Sequence, residues 1–166
     1  MPDAYYQHAV YAGSFDPITI GHLAIIERAS RIYDKVTVAV GVNPNKAELL
    51  TQAERKALVE GSVGQHPGIE VAIFDGLLVE FAWEIGAGVL IRGLRLLADF
   101  EHEFQLALAN RELAPELETV FLMTESEHLH ISSSLVKEIA RNGGGLRGFV
   151  PPAVAETLTR KLSPKP

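Results

Sequence analysis

The chain has 166 residues, 47% of them hydrophobic and 22% charged, which excludes a disordered chain and suits one domain, since cores divide only beyond roughly 250 residues. Fifteen Lys and Arg against 21 Asp and Glu leave a net charge of −6; this argues against a broad basic face for nucleic acid, so an anionic ligand must be met by a local site. The absence of cysteine excludes disulfides, a thiolate nucleophile and a Cys-based zinc site.

The start, Met1-Pro2-Asp3-Ala4, lacks the basic-then-apolar pattern of a signal peptide, and no apolar run approaches the ~20 residues that span a bilayer. A soluble, cytoplasmic protein with no membrane partner is expected. Residues 9–12 (Ala-Val-Tyr-Ala) read as a short strand stopping at Gly13. Leu23 to Ile32 has helical spacing. Val36 to Val40 is a β-branched run, the pattern of a strand buried on both faces, and Asn43-Pro44-Asn45-Lys46 breaks it. Thr51 with Glu54 predicts a capping box opening a helix to about Val63. Ile69 to Phe74 reads as a strand, Leu77 to Ile85 as a helix, and Gly88 to Ile91 as a strand ending abruptly at Arg92. Ala98 to Leu113 is helical, Thr119 to Met123 a strand, and Ser134 to Arg141 a helix stopped by three glycines. Pro151-Pro152 suits the first turn of a last helix, to about Leu162.

Strand and helix thus alternate about five times, which predicts an α/β fold with a five-stranded parallel sheet and helices on both faces. Residues 1–166 form one domain, with 1–7 and 163–166 expected as loose tails. Ligands of such sheets bind beyond the carboxyl ends of the strands, and the unusual residues follow strands. In Gly13-Ser14-Phe15-Asp16-Pro17-Ile18-Thr19-Ile20-Gly21-His22, Gly13 permits close approach of a ligand, while Gly21 and His22 open a helix whose free N–H groups favour an anion. There His22 could donate to a phosphate oxygen without a large pKa shift. Lys46 leaves the second strand on a Pro/Asn loop, where a solvated lysine is the ordinary reading. Arg92 follows the fourth strand, suited to bidentate phosphate contact; Arg95 and Asp99 have i,i+4 spacing. Ser132, Ser133 and Ser134 are by themselves a helix N-cap, and capping amides with hydroxyls also make an anion site.

Thr19-Ile20-Gly21-His22 resembles the T/HxGH signature of the nucleotidyltransferases, and the whole loop is similar to that of the phosphopantetheine adenylyltransferase family. Arg92-Gly93-Leu94-Arg95 followed by Asp99-Phe100-Glu101, and Ile131 to Glu138, resemble further motifs of that family in the same order. The resemblance implies a Rossmann-like domain that transfers AMP from ATP to 4′-phosphopantetheine, giving dephospho-coenzyme A and pyrophosphate, with Mg2+ on the ATP oxygens and no metal site of protein ligands. It implies catalytic roles for His22, Lys46 and Arg92. ATP would be met by Ser14, Phe15, His22, Gly93, Leu94, Arg95, Glu103, His128 and Ser132 to Ser134, and the acceptor by Ser14, Lys46, Leu78 and Arg92. Leu78 reads equally as a core residue. His128 stands where the family usually carries an aromatic. A hexamer is implied as well. The alternatives are an adenylyl- or cytidylyltransferase with another acceptor, such as nicotinamide mononucleotide, and a non-catalytic nucleotide-binding domain. A G-x-G-x-x-G fingerprint after the first strand is absent, which disfavours a dehydrogenase.

Overall fold

A computed structural model describes residues 4–42, 45 and 47–162. Five parallel strands form one sheet: β1 (His8–Gly13), β2 (Lys35–Gly41), β3 (Ile69–Phe74), β4 (Val89–Leu94) and β5 (Glu118–Met123), in the order β3-β2-β1-β4-β5. The helices are α1 (Ile20–Ile32), α2 (Gln52–Val63), α3 (Leu78–Glu84), α4 (Leu97–Leu113), α5 (Ser133–Arg141) and α6 (Pro152–Leu162). From β1 the chain adds β2 and β3 on one side and then β4 and β5 on the other, so the switch point of this doubly wound sheet lies between β1 and β4.

The pattern of side chains explains the layers. Alternate residues of the central strands feed two cores, as period-2 geometry requires. Tyr11, Val36, Val38, Val40 and Ile91 pack with Ile25 and Ile26 of α1, Val59 of α2, Val136 of α5 and Leu158 of α6. Val10, Ala12, Ala39 and Leu90 pack on the other face with Val79 and Ala82 of α3. Both faces are therefore covered, but α4 contributes none of its described side chains to the buried core. Thr51 caps α2 with the expected box: Glu54 N–H donates to its hydroxyl at 3.2 Å, and Thr51 N–H donates to Glu54 at 2.7 Å. Among the described residues no helix is long and apolar enough to cross a membrane.

Several boundaries differ from expectation by a residue or more. Strand β4 does not end at Arg92 but runs through Leu94, because β5 continues to pair it at Arg92–Phe121, Gly93–Leu122 and Leu94–Met123. Helix α5 starts at Ser133 with Ser132 as its cap. Ala4–Gln7, expected to be loose, forms a 3-10 turn, whose Tyr6 hydroxyl donates to the Glu116 carbonyl at 3.2 Å; residues 1–3 and 163–166 lie outside the described residues.

The switch point is physically open. β1 and β4 pair only from Ala9–Val89 to Tyr11–Ile91. Beyond that rung β1 follows β2 to Gly13–Val40 and β4 follows β5 to Leu94–Met123. The two strands part company there, and the cleft begins where they do.

Candidate active site

A cleft of about 580 Å³ sits over the parted strands. One wall is the segment from β1 into α1. Thr19 caps α1: its hydroxyl accepts from His22 N–H at 3.3 Å, and Thr19 N–H donates to His22 Nδ1 at 3.0 Å. Because Nδ1 is the acceptor, the ring proton belongs on Nε2, which becomes the free donor. Burial pushes the His22 pKa down to about 4, and the Arg95 charge adds to the same effect. His22 is thus a neutral imidazole at physiological pH, a larger shift than its sequence context suggests.

Phe15 holds this arrangement from below. Its ring is 2% exposed and stands edge-on to His22, with centroids 5.1 Å apart, and to Tyr11 at 5.6 Å. Its backbone lies at φ 48°, a left-handed conformation that an aromatic residue adopts at a cost of roughly 1–3 kcal/mol and that persists only where packing over-determines it. Gly13 answers to the same ring: a β-carbon there would stand 3.2 Å from Phe15 Cζ. The glycine makes room for this side chain, a role its sequence context did not suggest.

The other wall is β4 with α4. Arg92 donates from Nε and Nη2 to the two oxygens of Glu103 at 2.5 and 2.6 Å, and from Nη1 to the Ala12 carbonyl at 3.4 Å. Burial opposes its charge, but the Glu103 hydrogen bonds and charge together outweigh burial and raise its pKa. Arg95 lies 3.4 Å from Asp99, as the i,i+4 spacing predicts, and donates from Nη1 to the Ile131 carbonyl at 3.1 Å.

The far end is closed by α5. Leu135 N–H donates to the Ser132 hydroxyl at 3.1 Å, and the Ser133 hydroxyl donates to the Pro17 carbonyl at 2.8 Å. Capping is therefore real, and Ser133 also fastens α5 to the β1–α1 loop.

The cleft brings together Ser14, Phe15, His22, Arg92, Gly93, Arg95, His128 and Ser132 to Ser134. His128 comes near the start of α1, where a β-carbon on Gly21 would meet its Cβ at 3.7 Å, and its Nδ1 is buried without a protein partner. Leu78, Leu94 and Glu103 are not among the lining residues. Leu78 packs at the margin of the second core, Leu94 ends β4 with its carbonyl accepting from Thr124 N–H at 2.8 Å, and Glu103 is occupied by Arg92. Lys46 lies outside the described residues; its neighbours Ala47 and Glu48 line the cleft.

Asp16 and Lys137 are among the lining groups that escaped the sequence reading. Asp16 is buried and accepts the N–H groups of Leu49 and Leu50 at 2.9 and 2.8 Å, while Lys137 of α5 donates to it at 3.1 Å. Lys137 falls three residues after Ser134 at the mouth of an anion-favouring helix, and that placement is the signal that could have found it. Behind them Arg55, fully buried, donates to the Ser14 and Gly41 carbonyls at 2.6 and 2.8 Å and to Glu48 at 2.7 Å. Within a chain of charge −6, the described lining carries Arg92, Arg95 and Lys137 against Asp16 and Glu48. It is a local cationic site with preset hydrogen-bond donors, suited to phosphates.

Comparison with known proteins agrees with this geometry. Residues 10–139 match the cytidylyltransferase-like family, so fold and cleft define a nucleotidyltransferase. The chain is 53% identical over 152 residues to the phosphopantetheine adenylyltransferase of Alkaliphilus metalliredigens, covering 92% of this chain and 97% of that one. It is 55% identical over 154 residues to that of Synechococcus sp., covering 93% and 97%. The fold is shared with the crystal structure of a protein assigned as a nicotinate-nucleotide adenylyltransferase from Vibrio parahaemolyticus, at a TM-score of 0.69 and 18% identity, over 95% of this chain and 96% of that one. The chain belongs to the phosphopantetheine adenylyltransferase family.

Proposed function

We propose that the protein transfers AMP from ATP to 4′-phosphopantetheine, giving dephospho-coenzyme A and pyrophosphate. The observation that carries this reading is the convergence of neutral His22, Arg92, Arg95 and the start of α5 on one cleft at the switch point. An oxygen of the acceptor phosphate attacks the α-phosphorus of ATP in line. The bond from that phosphorus to the bridging oxygen breaks, and pyrophosphate leaves with its electron pair. The acceptor phosphate is already ionised near neutral pH, so no general base is needed, and no covalent intermediate forms.

Positioning and charge therefore supply the catalysis. His22 donates from Nε2 to the transferring group as its charge grows. Arg92, with Lys46 by family resemblance, holds the acceptor phosphate and offsets repulsion between two anions. The N–H groups opening α5, with Ser132 and Ser134, meet the outer phosphates. ATP also contacts Ser14, Phe15, Gly93 and Arg95, with Leu94, Glu103 and His128 assigned by resemblance; Leu78 lies toward the acceptor's pantetheine arm. Magnesium is held mainly by ATP's own oxygens. Of the acidic lining groups, Asp16 is saturated by two amides and Lys137, whereas Glu48 keeps a buried oxygen, Oε1, without a partner, and is the carboxylate that fits the ion. Once bound, the ion supplies shielding of phosphate charge.

The apolar side of α4 supports self-association, and the hexamer implied by resemblance is part of this proposal. Phe100 and Phe104 stack at 5.5 Å, Phe100 meets Phe121 at 5.9 Å, and Leu108 and Leu113 stand exposed on the same helix. Use of ATP carries a cytoplasmic location with it. The test is pyrophosphate release with ATP, magnesium and either 4′-phosphopantetheine or nicotinamide mononucleotide. Release with the first acceptor and background with the second is expected; the reverse preference overturns the acceptor assignment.

A further inference from the structure

The rung at which the cleft opens carries a polar group that neither the fold nor the reaction scheme uses. Tyr11 stands at the last position where β1 pairs β4, opposite Ile91, and is 6% exposed. Its ring packs edge-on to Phe15 and tilted against His22, centroids 6.4 Å apart. Packing accounts for the ring but not for the hydroxyl, since phenylalanine would fill the same space. Among the described residues no protein group hydrogen-bonds to that hydroxyl, and its oxygen is not sealed off as a buried atom; it opens to the cleft. The residue lines the cleft, and its oxygen lies over Gly93, where a β-carbon would stand 3.6 Å from it.

The chemistry of the missing partner follows from the neighbours. Arg92 and Arg95 are donors only and bring positive charge to Tyr11, partly offset by Glu103. Burial outweighs that charge and pushes the phenol up, so it stays a neutral donor. A donor facing a cationic, donor-rich floor is matched by an anionic acceptor, and His22 and Gly93 flank the place where it would sit.

We propose that the Tyr11 hydroxyl donates a hydrogen bond to the phosphate chain of the nucleotide, on the floor of the cleft beside His22 and Gly93. The inference rests on the reading that ATP is the ligand, but not on the identity of the acceptor.

The test is Tyr11→Phe, which keeps the ring and removes only the hydroxyl. Calorimetric titration with ATP and magnesium should show affinity weakened about tenfold or more, the usual loss for one hydrogen bond to a charged group. kcat/KM for ATP should fall in parallel, with the KM for the acceptor and the melting temperature of the free protein unchanged. A purely structural tyrosine predicts no change in any of these. Wild-type ATP affinity in the variant, or a loss confined to the acceptor, overturns the proposal. Weakened ATP binding in the variant, with no pyrophosphate released from 4′-phosphopantetheine by the wild type, leaves Tyr11 in place and rejects the acceptor assignment instead.

Discussion

The two walls of the cleft hold their functional groups by opposite means. On the β1 side His22 is fixed by short-range packing and backbone: Thr19 grips Nδ1 and Phe15 supports the ring. On the β4 side Arg92 and Arg95 are fixed by counter-charges, Glu103 and Asp99, with a quarter or more of each arginine side chain exposed. A packed donor cannot relax, which suits a group that must fit a transition state better than a substrate. An arginine held by a carboxylate can share its charge with an arriving phosphate, which suits a group that receives a mobile anion.

The comparison breaks first at His22. His22→Ala should lower kcat about 100-fold or more with ATP affinity little changed, the usual result of losing one transition-state donor; steady-state kinetics beside calorimetry check both quantities. Arg92→Ala comes next, with an expected rise of about tenfold or more in the KM for 4′-phosphopantetheine and a smaller effect on ATP. Equal losses for both ligands would place Arg92 on the wrong substrate. Glu103→Gln should raise the same KM less than Arg92→Ala does, since the arginine remains but loses its fixed orientation. Arg92→Ala combined with Glu103→Gln should then be no worse than Arg92→Ala alone, a double-mutant cycle that reads the pair directly.

The pH dependence sharpens the contrast further. The folded pKa of His22, about 4 against an ordinary 6.5, means the folded state favours the neutral ring. Its contribution to stability is complete above pH 6.5 and declines as the unfolded chain takes up a proton on the way down to pH 4. Activity should show no limb from His22 between pH 5.5 and 8, and kcat profiles of the wild type check this. The smallest effect is expected at His128. His128→Ala should weaken ATP by a few-fold at most, and titrating that affinity across the same pH range tests whether the ring lies beside the base; identical curves for wild type and variant would remove it from the site.

What could be read in advance follows the range of each interaction. The Thr51–Glu54 cap, the buried run Val36–Val40, β3 and the His22 loop are local patterns in which spacing states geometry. The end of β4 is not local: Arg92 to Leu94 remain strand because β5 pairs them. The Asp16–Lys137 contact joins residues 121 apart in sequence, and Arg55 reaches carbonyls on two other strand ends, so neither leaves a periodic trace. The purpose of Gly13 was legible as smallness but not as accommodation of Phe15, because the left-handed turn at Phe15 is set by packing. The partner of Glu103 was hidden for the same reason. Resemblance pointed to the nucleotide, and the geometry adds that this carboxylate orients Arg92.

The central claim is direct transfer by a positioned, non-covalent site, and isotope exchange tests it most directly. Incubating the protein with ATP, magnesium and labelled pyrophosphate should put no label into ATP until dephospho-coenzyme A is added, and rapid exchange should follow its addition. Exchange with ATP and pyrophosphate alone would reveal an adenylyl-enzyme and contradict the account.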